Sequence, residues 1–197
     1  MPASIGAAPQ ASFDQPLQLL QDCHRRIEQF LEVLLRVVEA ANDDTLSTTH
    51  REALETALRY FREAAPRHMQ DEEGSLFPRL RQESGAELQS ALACIDALET
   101  DHVRASELHT QVNMTGERWL HEGPLAAPAR AELRRWLVEL RTLYRNHIDI
   151  EDHRIFPLAG RILTSGALAS VGQEMRARRM LPQTCDGSPC APHKNVG

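Results

Sequence analysis

The sequence predicts an all-α protein: an antiparallel up-down-up-down four-helix bundle with a short extra C-terminal helix. Three observations carry this expectation. Apolar residues recur at spacings of three and four through most of the 197-residue chain, the period of a helix with one buried face. Ala, Leu, Arg and Glu dominate and β-branched residues are sparse, a composition that favours helix over sheet. Short polar or Gly/Pro breaks divide the pattern into four long segments, and long helices joined by short loops pack as antiparallel neighbours.

Residues 1–13 are expected to form a disordered leader, because they lack the basic and apolar regions of a signal peptide. The bundle is expected over residues 14–160. Asp14 can cap its first helix, with Pro16 in the opening turn where a missing N–H costs little. The stripe of that helix is Leu20, His24, Ile27, Leu31, Leu34 and Val38, and Asn42-Asp43-Asp44-Thr45 ends it. Thr49-x-x-Glu52 offers a capping box for the second helix. Its stripe, Leu54, Leu58, Phe61, Ala65, His68, Glu72 and Leu76, continues in phase past Pro66, so a kink is expected there.

Ser84-Gly85 precedes a third helix with the stripe Leu88, Ala91, Ile95, Leu98, His102, Ala105, His109 and Val112. After Gly123-Pro124 the fourth carries Leu133, Leu137, Leu140, Tyr144, His147, Glu151 and Ile155, and is expected to end near Phe156-Pro157. Residues 161–181 hold a short amphipathic helix over 166–180, and residues 182–197 read as a disordered tail.

Composition excludes several function classes. The net charge of -6 provides no basic field for nucleic acid. No apolar run approaches the ~18 residues needed to span a bilayer. Four cysteines in a chain of this length make no disulfide framework, which sets a cytoplasmic expectation.

Six residues do not suit an apolar stripe: His24, His68, Glu72, His102, His147 and Glu151. In an antiparallel hairpin, residues equidistant from the turn lie at one height. The midpoint of His24 and His68 is position 46, that of His68 and His102 is 85, and that of His102 and His147 is 124.5, each in or beside a loop. All four histidines therefore share one level, and each glutamate sits one turn from its histidine on the same face. The chain also repeats itself. HMQDEEGSLFP at 68–78 matches HIDIEDHRIFP at 147–157, and His24 precedes His102 by 78 residues where His68 precedes His147 by 79. Two similar hairpins, each supplying His and then His-x-x-x-Glu, suit two metal ions with the glutamates free to bridge them.

A single histidine on a stripe is more often structural than a ligand, and two close carboxylates can share a proton. Six such residues in one layer, with no Lys or Arg on the stripes to pair the glutamates, point instead to metal. Six ligands are too many for one closed tetrahedral zinc, and calcium and magnesium prefer oxygen shells. Of the Glu-x-x-His pairs a ferritin-like centre needs, only Glu99-x-x-His102 is present. A nitrogen-rich set with carboxylates suits two irons, with manganese or zinc as alternatives.

The pattern His24 … His68-x-x-x-Glu72 … His102 … His147-x-x-x-Glu151 resembles the hemerythrin-like, or HHE cation-binding, domain over roughly residues 14–160. The resemblance implies an antiparallel four-helix bundle around a non-haem di-iron centre, two iron ions bridged by oxo or hydroxo and carboxylate groups. It implies His24, His68, His102 and His147 as terminal ligands and Glu72 and Glu151 as bridges. It also implies a small diatomic or peroxide ligand, and roles in oxygen binding, sensing, peroxide decomposition or repair of iron centres. Oxygen carriers of the family place a further histidine one turn after the third-helix histidine; here Ser106 occupies that position. This departure counts against reversible oxygen carriage and favours redox chemistry. The leading expectation is a di-iron protein that binds oxygen or a related small ligand. The alternative is a di-iron enzyme acting on peroxide or ferrous iron, or an iron-storage or iron-centre repair protein in stress response. Glu28, Glu99 and His109 are additional candidates for the site, Glu73 is expected to face solvent, and Tyr144 can reach His147. Cys185 and Cys190 form a possible redox pair. The chain is expected to be a monomer or a homodimer, the short helix either covering the bundle or mediating the contact.

Overall fold

The structure, a computed structural model, describes residues 11–41, 46–179, 184–185 and 188–189. The described chain is helical apart from its connections and a two-residue antiparallel pairing, Thr184 with Pro189 and Cys185 with Ser188. The sequence shows no strand signal at that pairing. Residues 1–10 of the expected leader, the polar stretch 42–45 at which the first helix is expected to end, Cys190 and most of the tail lie outside the described residues.

Helix α1 spans Pro16–Ala40, with Gln15 rather than Asp14 at the cap position. Helix α2 spans Thr48–Glu63 and is capped two residues earlier than the expected box, by Ser47, whose side chain accepts from the His50 N–H. At Pro66 the helix kinks as expected: Ala64 keeps helical angles and its N–H bonds the Tyr60 carbonyl, and α3, Ala65–Asp71, continues with the proline in its first turn. In a first turn the absent N–H has no partner within its own segment. A π turn, Glu72–Leu76, then leads into α4, Phe77–Gln82. Helix α5 is a single run, Ala86–Glu122, and α6 spans Ala127–Ile150. The fourth segment does not end at Phe156-Pro157. A second π turn, Glu151–Ile155, carries it into α7, Phe156–Ile162. Helix α8 spans Ser165–Arg178, close to the expected span, and is capped by Thr164.

The two π turns occupy equivalent places in the repeat. Pro78 and Pro157 have no N–H, so the α ladder is interrupted at both. In the five residues before each Phe-Pro pair the ladder widens instead, and the N–H groups of Phe77 and Phe156 donate to the Glu72 and Glu151 carbonyls. π turns of this kind are frequent at functional sites.

Helix α1 packs against α2 and α6, and α5 packs against the same two. Their apolar faces form two clusters. One gathers Ile27–Val38, Leu54–Ala65, Ala105–Leu120 and Leu133–Ile148; the other gathers Leu19, Leu20, Leu76–Leu80, Leu88–Leu98 and Ile155–Ala159. Along each successive segment the order in which the chain visits these clusters alternates. The polar stripe residues fall between them.

Helix α8 closes the outside, where Gly172 admits the Phe13 backbone. A Cβ at Gly172 would lie 1.9 Å from the Phe13 carbonyl oxygen, and Arg176 stacks over the Phe13 ring at 4.8 Å. The Ala11 N–H donates to the Asp22 carboxylate at 2.8 Å on the same side. Gly172→Ala is therefore expected to displace this segment and to lower stability by about 1–3 kcal/mol, the usual cost of overpacking. Thermal denaturation with an unchanged midpoint would contradict that packing.

Candidate metal centre

The six stripe residues meet in one buried layer. His24, His68, His102 and His147 are 1–3% exposed, and Glu72 and Glu151 are fully buried. Two groups of potential ligands form: His24, His68, Glu72 and Glu151, and Glu72, His102, His147 and Glu151, each with one donor atom per residue within 4.8 Å of the others. Each hairpin thus supplies both histidines of one group, while both glutamates belong to both. The ring pairs follow the same division, His24–His68 at 4.9 Å and His102–His147 at 4.6 Å between centroids. His24 Nε2 lies 3.1 Å from Glu151 and 3.6 Å from Glu72; His68 Nε2 lies 3.3 Å and His102 Nε2 3.5 Å from Glu72; His147 Nε2 lies 3.1 Å from Glu151.

Two of the outer nitrogens, those of His24 and His102, are held by acids, while Nδ1 of His68 and of His147 has no hydrogen-bond partner among the described residues. A carboxylate can only accept, so His24 Nδ1–H donates to Asp152 and His102 Nδ1–H to Glu73, both at 2.8 Å. His147 Nδ1 stands 3.5 Å from Asp101. Orientation by a carboxylate behind the ring is a recurrent feature of metal-ligating histidines. The acids act crosswise: Asp152, in the second half, holds the lone histidine of the first, and Glu73 holds the lone histidine of the second. The Phe-Pro phenylalanines do the same. Phe156 lies parallel to His24 at 5.3 Å, and Phe77 parallel to His102 at 6.5 Å.

Glu73 does not simply face solvent, as the sequence suggests; it is 42% exposed and still reaches His102. Asp152 and Asp101 give no periodicity signal. What the sequence does contain is an acid after each stripe glutamate, Glu72-Glu73 and Glu151-Asp152. The additional candidates stay outside. Glu28 is exposed, and Glu99 pairs with Arg81 at 2.6 Å. His109 stacks on Phe61 at 4.5 Å and bonds Tyr144 at 2.9 Å, so Tyr144 serves His109 rather than His147.

The ionisable groups of the layer perturb one another strongly. Burial, aided by Glu151, pushes the Glu72 carboxyl up to about 8. Burial also acts to raise Glu151, but the close His147 and His24 rings prevail and hold it below the usual carboxylate range. Burial acts to lower His24, yet Asp152, Glu151 and Glu72 raise it well above an ordinary imidazole, and Glu151 similarly outweighs burial at His147. For His68, burial and the neighbouring His24 prevail and lower it well below normal. Burial, followed by His147, lowers His102 as well.

Both oxygens of Glu72, both of Glu151, and Nε2 of His24 and His147 are buried without a hydrogen-bond partner among the described residues. Buried polar atoms without partners are rare and demand a reason. Nitrogen and carboxylate donors converging on these two groups fit metal, and no cysteine joins either group.

The family model described as Hemerythrin HHE cation binding domain matches residues 15–159. An "Uncharacterized protein" of Haemophilus influenzae (strain ATCC 51907 / DSM 11121 / KW20 / Rd) is 26% identical over 174 residues, covering 88% of this chain and 95% of that protein. With the match spanning most of the sequence and containing all six converging residues, the chain belongs to the hemerythrin HHE cation-binding domain family.

Proposed function

We propose that this protein is a non-haem di-iron protein that binds oxygen or a related small ligand such as peroxide or nitric oxide. The observation that carries the reading is the pair of four-residue groups sharing Glu72 and Glu151. His24 and His68 would hold one iron, His102 and His147 the other, and the two glutamates would bridge them. The irons supply redox-active coordination of the small ligand when bound. The chain's own contribution is to exclude water and fix the donors. Leu20, Ile27, Leu76, Leu98, Ala105 and Ile155, all at 0–1% exposure, flank the layer on both sides. Asp152 and Glu73 set which nitrogen of His24 and His102 faces inward. The up-down-up-down bundle belongs to the same reading, supported by the alternating order of the two apolar clusters along α1, α2–α4, α5 and α6–α7.

Metal analysis after iron-replete expression, with optical spectra before and after oxygen, peroxide and nitric oxide, tests it. About two irons per chain and oxo-to-iron charge-transfer bands are expected. Less than one iron and a featureless spectrum would remove the reading. Asp152→Ala and Glu73→Ala are each expected to weaken metal binding by about 10–100-fold, the usual effect of losing the group behind a ligating histidine. A titration giving wild-type affinity in both would deny them that role.

A second reading, an enzyme acting on peroxide or ferrous iron, is favoured by Ser106. It is exposed, one turn from His102, and lines a groove of about 290 Å3 with Met69 and His109. Oxygen evolution from peroxide no faster than with free iron would exclude the peroxide reaction. No described helix is long and apolar enough to cross a membrane; a cytoplasmic location is proposed on the sparse cysteines, which form no disulfide framework.

A further inference from the structure

The two half-sites are built on unequal supports. His147 and Glu151 follow a helix, α6, that runs unbroken from Ala127 to Ile150. His68 and Glu72 follow α3, seven residues between the proline kink at Ala64 and the π turn. So short a helix has little stability of its own.

Helix α8 makes up the difference. Asp71, immediately before Glu72 and fully buried, accepts from Arg178 at 2.8 Å and from Arg179 at 2.7 Å. Inside the π turn, the buried Ser75 hydroxyl accepts from Arg178 Nη2 at 2.6 Å and donates to Glu174. Arg79 closes the network, reaching Glu174 and the Ser75 carbonyl, both at 2.7 Å. Gly74 leaves room for it, since a Cβ there would come to 3.0 Å from Arg178 Nη2.

Four of the positions at which the repeat departs from itself carry this network. Asp71, Gly74, Ser75 and Arg79 correspond to Ile150, His153, Arg154 and Leu158 in the other half. These four coincide with the contacts of α8, which packs on α3 and the first π turn. The helix itself starts at Ser165, beyond the family match that ends at residue 159.

We propose that Arg178 and Arg179 are positioning residues for the metal centre: through Asp71 and Ser75 they hold the π turn that aims His68 and Glu72, so retention of the first ion depends on α8. The inference rests on the two-metal reading. The first ion draws His68 and Glu72 from the braced segment; the second draws only Glu72 from it and keeps His102, His147 and Glu151.

Cobalt(II) titration of the full chain, followed by its visible absorption, tests this with Asp71→Asn, Arg178→Met and Arg178→Lys. Arg81→Met, which removes an exposed pairing with Asp96 and Glu99, is the control. Two ions are expected in the wild type and the control. In Asp71→Asn and Arg178→Met the affinity for one ion should fall by about 10–100-fold, the range for groups that orient ligands, with the other ion and the helical circular-dichroism signal retained. Arg178→Lys should restore part of the loss, because the charge can still meet Asp71. Gly74→Ala, which displaces Arg178 by a few tenths of an ångström, reads the same effect should Asp71→Asn fail to fold. Unchanged binding in the clamp variants, or equal weakening of both ions, overturns the inference alone. A wild type that takes up no cobalt overturns the two-metal reading and the inference with it.

Discussion

Glu151→Ala is expected to weaken metal binding in both halves of the centre, whereas His147→Ala is expected to weaken it in one. The asymmetry follows from the geometry. Glu151 belongs to both ligand groups, and His147 to only one. Under the two-metal reading, Glu151→Ala removes a donor from each ion at once and leaves Glu72 as the sole carboxylate within reach. Iron per chain should fall from about two to below one. His24→Ala and His102→Ala should each leave roughly one, on opposite sides of the layer. Inductively coupled plasma analysis of the purified variants separates these cases. Equal losses in the glutamate and histidine variants would deny the glutamates a shared role.

Removing the metal is expected to lower the thermal midpoint substantially. An ion that binds only the folded chain stabilises it by about 4 kcal/mol at a free concentration 1,000 times its dissociation constant. For a chain of this size that corresponds to roughly 8–16 °C, at 2–4 °C per kcal/mol. Chelation leaves two fully buried glutamates in a layer where burial and Glu151 push Glu72 up to about 8. Glu72→Gln should therefore invert the usual ranking. It should be less stable than the wild type when both are loaded with iron, and at least as stable at neutral pH when both are stripped, because a neutral amide avoids the cost of the proton that a carboxyl raised to about 8 must take up on folding. Differential scanning calorimetry with and without a chelator measures both. A chelated wild type with an unshifted midpoint would mean that the layer is a self-sufficient polar core.

The helices and the six converging residues were legible because helical geometry is local. A period of 3.6 residues puts His68 and Glu72 on one face whatever packs against them. Boundaries were less legible. Ser47 took the cap that Thr49 could have formed, and the fourth segment runs on past Phe156-Pro157, where the sequence suggested an end. Continuity of the stripe reports the direction of burial, not the integrity of the backbone ladder. The π turns escaped for a related reason: one widened turn alters the hydrogen bonding around Pro78 and Pro157 while the helix goes on.

The sequence alone determined the helical class, the duplicated half-site and the depth at which its four histidines meet. All of these follow from spacing along one chain and from the equal lengths of successive hairpins. Only the tertiary structure decided which acids stand behind His24 and His102. Asp152 lies 128 residues from His24, and Glu73 lies 29 from His102, and no periodicity links such partners. Their pairing depends on the lateral packing and rotation of helices against one another. The same holds for α8, whose arginines single out the first half-site across more than 100 residues of sequence. Spacing sets which residues share a face; side-chain reach between packed elements sets what each can bond.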